Sequence, residues 1–326
     1  MITIFRNKSI VTIFSLIALC LLTHLHIFFI PVQVHDGYFS GFISWIFHKY
    51  SSSIAPFFLN SFYIIVILIQ AIRINVILNN HKLFNKSAFT TSLAYILFTG
   101  LFTNAYSLSV ALIANSLVIW IFSFSIKLYN NSSAKGLLFN LGLLASVSIL
   151  FFQPLAIITI GLLFALIVLR PFKISEWFIF LLGVITPFYI ILSFLYLTDQ
   201  LSILQELLPI TQFKLYIPNN TWDWANYILI AILSIAGLVT WYPNSNRMVI
   251  QSRKSWGVIL IFLILSIIGA LIFTSNNYYT ELICLIPLSA FVSNFFLYPS
   301  KKILVHILLL AAFVVITYNN LMLIKG

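Results

Sequence analysis

Acidic residues are nearly absent from this sequence, six among 326, and charged residues of all kinds make up only 7%. Soluble domains carry about 25% charged residues, so this chain cannot cover a water-exposed surface. Cysteine is equally scarce. Cys20 and Cys284 both sit in apolar runs and form no CxxC, which excludes a disulfide framework or a cysteine metal centre and leaves them as packing residues. There is no P-loop, GxGxxG, HExxH or GxSxG, so a soluble-type nucleotide or hydrolase site has no candidate. No acidic residue falls in the middle of an apolar run, which argues against transport coupled to ions through intramembrane carboxylates. Unwound backbone could still coordinate an ion.

What the chain does have is 62% hydrophobic residues and a mean hydropathy of +1.09. A helix needs about 20 apolar residues, or as few as 17, to cross the hydrocarbon. Candidate spans lie near 10–30, 56–78, 88–103, 106–126, 137–152, 155–169, 177–197, 224–242, 256–273, 281–298 and 303–320. The expected fold is therefore all-α, a polytopic transmembrane bundle of about eleven spans (10–12) forming one domain over 1–326. Within 137–169 the run is too long for one crossing and is split at Gln153-Pro154, where proline ends the hydrogen-bond ladder and a tight turn belongs. The hairpin 88–126 turns at Asn104. Each hairpin reads as fully spanning or as re-entrant, and parity is the same either way. The basic N-terminus and first apolar run have no A-x-A-like cleavage site, so they read as a retained helix.

Lysine and arginine test the count, because they collect on the cytoplasmic side. Alternating the connections puts all but Lys49, Lys214 and Lys325, 14 of 17, on one side. That predicts an inner-membrane protein with a cytoplasmic N-terminus and a periplasmic C-terminus, and it assigns the basic surplus to topology rather than to nucleic acid. Acids show the reverse: Asp36, Asp199, Glu206, Asp223 and Glu281 fall outside and only Glu176 inside. Acids contribute little to insertion, so this bias reads either as solvation of the outer loops or as function.

Two external segments, about 31–53 and 198–222, have interfacial character. In the first, Asp36, Ser40, Ser44, His48 and Ser51 share one helical face while Phe39, Phe42, Ile43, Ile46 and Tyr50 occupy the other. In the second, Leu201, Leu204, Leu207 and Leu208 oppose Asp199, Ser202 and Glu206. Asp36 is the leading catalytic candidate, as a general base with His35 beside it and Glu281 in support. Its bland reading is an N-cap before an interfacial helix. His48, Asp223, Asn276, Tyr278 and Gln153 are candidates for substrate binding. His24 and His26, two apart on a helix, are expected to point to different sides and make a poor metal pair. Asn60, Asn115, Asn140 and Asn294 read as interhelical hydrogen-bond partners. No metal site and no cofactor motif is found; a divalent metal would enter only with glycosyltransferase-like chemistry.

The stretches SFYIIVILIQAIRINVILNNHKLF, LRPFKISEWFIFLLGVITPFYI, YLTDQL and ELICLIPLSAFVSNFF resemble a Bacteroidota family of multispanning inner-membrane proteins, a domain of unknown function, over roughly 55–300. RPF-x-x-x-EW and TDQL are its distinctive motifs. The resemblance implies a bacterial inner membrane and brings no activity with it. In outline the chain also resembles C-type membrane glycosyltransferases, with a cytoplasmic N-terminus and interfacial helices and an early acid in the first external loop. It departs from them in having His35-Asp36 in place of an acidic pair. That resemblance implies action on a lipid-linked glycan at the periplasmic leaflet, with membrane lipids as the surrounding partner. A transporter or flippase, or a scaffold subunit with a protein partner that the sequence does not identify, are the alternatives.

Overall fold

A computed structural model describes residues 2–35, 55–131, 133–201, 221–273, 279–299 and 301–325. Every segment expected to span is helical. In chain order the helices are α1 Ile2–Phe5, α2 Ile10–Thr23, α3 Pro56–Asn80, α4 Thr90–Leu101, α5 Val110–Ile126, α6 Ala134–Phe151, α7 Ala156–Leu169, α8 Ile174–Leu197, α9 Thr221–Ser245, α10 Ile250–Ile272, α11 Leu285–Leu297 and α12 Lys302–Lys325. Among the described residues, seven segments are long and apolar enough to cross a membrane: α3, α6, α8, α9, α10, α12, and α11 with the turn that precedes it. The other apolar helices, α2, α4, α5 and α7, are shorter.

Hydrogen bonds between distant segments sort the helix ends into two sets. At one end Arg6 Nε donates to Phe296 O (2.9 Å), Phe89 N to Phe5 O (2.7 Å), Trp256 Nε1 to Leu83 O (3.1 Å), and Asn85 N to the Tyr298 hydroxyl (2.9 Å). At the other, His26 meets Asn320, Asn226 meets Asn319, and Asn104 meets Glu281. Successive helices therefore run in alternating directions, and the two chain termini lie at opposite ends of the bundle.

The centre is built from α4 and α11, in which every residue is buried. A helix apolar all round belongs in the interior of a bundle. Both are short: 12 and 13 residues give about 18 and 20 Å, well under the roughly 30 Å of hydrocarbon. Around them, α6 and α8 approach so closely that a side chain at Gly142 would strike the Phe180 carbonyl, and one at Gly183 the Phe139 carbonyl. Small residues are what permit such backbone contact in lipid. Gly183 is thus a packing residue.

Both distinctive motifs resolve into backbone devices. In RPFKISEW, the Arg170 guanidinium forks onto Glu176 (Nε to Oε2 2.8 Å, Nη2 to Oε1 2.9 Å) while Nη1 donates to the carbonyls of Leu128 and Asn131. One side chain therefore ties the chain after α7 to the start of α8 and to the end of α5. In YLTDQL, Gln200 N donates to Leu195 O (2.9 Å) and Asp199 adopts a left-handed φ of 54°, the pattern of a Schellman helix stop. Asp199 is thereby accounted for as a cap.

Candidate functional site

At the end opposite the basic residues, four helical passes finish in 3₁₀ turns: Leu25–Phe28 after α2, Thr103–Tyr106 after α4, Gln153–Leu155 between α6 and α7, and Thr280–Cys284 before α11. A 3₁₀ turn tightens the chain and leaves carbonyls to be satisfied by other groups. The expected turns at Asn104 and Gln153-Pro154 are therefore present. Residues 36–54, 202–220 and 274–278, outside the described residues, all connect elements at this end.

The central helices stop short here. A Cβ on Gly100, next to the end of α4, would lie 3.0 Å from Ile316 Cδ1 of α12. Helix α12 then continues nine residues to Lys325, about 13 Å beyond that level. Likewise Gly237 of α9 lies against the Phe291 carbonyl of α11, and α9 reaches back sixteen residues from there to Thr221 whereas α11 reaches back only six, to Leu285. Asn104 and Glu281 lie in the turns that end α4 and begin α11, and the turn carrying Glu281 packs against α10 and α5.

The Asn104 amide donates to the Glu281 carboxylate. Asn115 of α5 fixes the same turn by donating to Leu282 O (2.9 Å). Among the described residues no lysine or arginine stands within ion-pair distance of Glu281, whose side chain is part-buried.

Two residues along the same turn, Tyr106 belongs to a second cluster. Its ring stacks on His26 at 4.7 Å between centroids, and its hydroxyl donates to Gly100 O (2.6 Å). The His26 Nδ1 and backbone N–H both lie 3.0 Å from Asn320 Oδ1, while Asn320 Nδ2 donates to Thr23 O and Ile316 O. The neighbouring His24 places Nδ1 2.9 Å from Thr23 Oγ1 and its ring 5.4 Å from that of Tyr63. The two histidine rings are 6.1 Å apart, which corrects the expectation that they point to different sides. The reason is local: α2 ends at Thr23 and the tighter turn rotates His26 back toward His24. Asn60 clamps the exit of this turn, donating to Ile27 O and accepting from Val32 N, both at 2.9 Å.

The remaining candidates divide. Asp223 lies in the first turn of α9, half-buried. Three residues on, Asn226 pairs reciprocally with Asn319, next to Asn320, so a polar chain runs from the start of α9 through α12 to His26. His35 is placed by its backbone: Val34 and His35 pair in parallel with Leu108 and Ser109, which ties the approach to Asp36 to the chain just past the Thr103–Tyr106 turn. Gln153 sits in its own 3₁₀ turn. Asp36, His48, Asn276 and Tyr278 lie outside the described residues, as does most of both expected interfacial helices. Of the asparagines, Asn60 and Asn115 bridge elements as expected, Asn294 bonds to carbonyls of its own helix, and Asn140 faces outward. Among the described residues, no three His, Cys, Asp or Glu side chains come together as a metal site. The polar chain and the Asn320 contacts, formed across long sequence separations, left no signal in local spacing.

The bundle defines an all-α protein of the polytopic membrane class. The chain belongs to DUF6427, a family of unknown function, whose description matches residues 20–325. No curated protein matches it.

Proposed function

We propose that this is an inner-membrane protein whose basic end faces the cytoplasm and whose opposite end, carrying Glu281, faces the periplasmic leaflet, where it transfers a glycosyl group from a polyprenyl-phosphate carrier. The observation that supports this reading is Glu281: a part-buried carboxylate held by a neutral amide and, among the described residues, without a cation. Retaining such a carboxylate unpaired is costly, and function is the usual reason for retaining one. In this scheme Asp36 accepts the proton of the acceptor hydroxyl as its oxygen attacks the anomeric carbon. The bond from that carbon to the phosphate oxygen breaks, and its electron pair leaves with the polyprenyl phosphate. Glu281 and Asp223 bind hydroxyls of the sugars, and a long polyprenyl tail would reach this end from the surrounding lipid.

The test uses the purified full chain in vesicles with a polyprenyl-phosphate-linked sugar and an acceptor glycan. Release of the carrier phosphate is expected from the native chain, and its loss from Glu281→Gln and Asp36→Asn at unchanged protein abundance. Turnover unaffected by both substitutions would remove these carboxylates from the reaction. Solute accumulation in the vesicles without carrier release would favour transport instead.

A further inference from the structure

The opposite end of the bundle carries a second cluster that the proposed transfer does not use. Helix α3 ends at Asn80 with His81 and Lys82 beyond it, α5 ends with Lys127 as its C-cap, and α10 begins with Ile250 and carries Arg253 and Lys254 in its opening turns. Direct contacts bring these three ends together. Ser252 Oγ donates to Lys82 O (3.0 Å), and Trp256 Nε1 donates to Leu83 O (3.1 Å). Lys254 Nζ lies 5.3 Å from the ring centroid of Tyr129, two residues past Lys127. His81 is half-buried, and its pKa is lowered, first by burial and then by the charge of Lys127.

Cations at the C-terminal ends of α3 and α5 are favourable to those helix dipoles, and membrane topology explains basic residues at this end in general. Neither explains two further features. Arg253 and Lys254 sit near the start of α10, where positive charge opposes the dipole, and the N-cap there is Val249, which supplies no side-chain bond. Lys82 occupies the left-handed position of a Schellman stop (φ 53°), with Leu83 N on Leu78 O and Lys82 N on Asn79 O. Glycine is the favoured residue at that position, yet a lysine is there. Glu176 cannot neutralise the cluster, because both of its oxygens are taken by Arg170.

We propose that His81, Lys82, Lys127 and Lys254, where α3, α5 and the start of α10 converge, form a binding site for a phosphate group, matching the headgroup of an anionic lipid of the adjoining leaflet. The single negative charge of a lipid phosphodiester would lie among three lysines, offsetting part of their mutual repulsion and of the unfavourable charge at the start of α10. The tyrosine under Lys254 holds that side chain in place.

The full chain is compared in nanodiscs of phosphatidylcholine with and without phosphatidylglycerol, reading retained lipid by native mass spectrometry and the thermal midpoint. Phosphatidylglycerol is expected to be retained and to raise the midpoint. Each of Lys127→Gln and Lys254→Gln should weaken retention about fivefold, the usual contribution of one basic residue near an anionic membrane surface. The pair Lys301→Gln and Lys302→Gln removes the same charge from this end outside the cluster and should leave retention unchanged. Lys127→Arg should retain the lipid, which guards against a variant that merely loosens the fold. Inorganic phosphate in detergent tells the sources apart: a midpoint rise abolished by the same two substitutions assigns the site to soluble phosphate as well as to lipid. Equal loss in the control pair, or no loss in the cluster variants, overturns the proposal.

Discussion

The two glutamates among the described residues, both part-buried, lie at opposite ends and are treated in opposite ways. Glu176 has a forked arginine, and the same arginine satisfies the carbonyls of Leu128 and Asn131. Glu281 has one neutral amide. An ion pair of the first kind closes a structure, because both charges and the adjacent carbonyls are consumed. A carboxylate of the second kind keeps free acceptor capacity where the central helices stop short. The carboxylate at one end is consumed by its arginine, then, and the carboxylate at the other keeps acceptor capacity.

Breaking the arginine pair should cost the most stability. Arg170→Ala leaves Glu176 without its cation and two carbonyls without a donor, so a loss of about 3 kcal/mol is expected in detergent unfolding. A loss indistinguishable from that of a surface substitution would mean that the pair contributes nothing. At the other end, Asn320→Ala removes the partner of His26 and donors to Thr23 O and Ile316 O, for an expected loss of about 1–3 kcal/mol. The Glu281→Gln substitution should hardly alter unfolding, since an amide can still bond to Asn104; its effect belongs to turnover.

The smallest effect is a pH dependence at the basic end. The pKa of His81 is lowered in the folded chain, by burial and then by Lys127, from an unfolded value of about 6.5. Above that pH the imidazole is neutral in both states and contributes nothing. As pH falls through it, the unfolded chain takes up the proton first, so stability is lost on acidification. Unfolding curves of native protein and His81→Gln should coincide near neutrality and separate in mild acid, with the native chain losing more; parallel curves throughout would show that His81 is not perturbed.

Helix positions, the turns at Asn104 and Gln153-Pro154, and the alternation of ends were legible because hydrophobic length and lysine and arginine placement act locally along the chain. The shortness of α4 and α11 relative to their neighbours was not. It depends on which residues of α9 and α12 lie level with Gly100 and Phe291, a matter of three-dimensional packing. The contact of His26 with Asn320 joins residues nearly a chain length apart, and the ring approach of His24 and His26 needs a helix that stops at Thr23 without a glycine or proline to announce it. Lys82 was concealed for a similar reason: a left-handed stop is usually read from glycine. The charge asymmetry of the two ends was visible from composition, but the pairing of Glu176 with Arg170 and the isolation of Glu281 required the fold.

The orientation of these two ends is what the account most depends on, and thiol labelling measures it directly. With Cys20 and Cys284, both buried and free, replaced by alanine, a single cysteine is introduced at exposed Gln200 or at exposed Lys86, and intact cells receive a reagent that cannot permeate the inner membrane. The expected result is reaction at Gln200→Cys in intact cells and at Lys86→Cys only after the inner membrane is opened. The reverse pattern would place Glu281 and its end of the bundle at the cytoplasmic side and contradict the account.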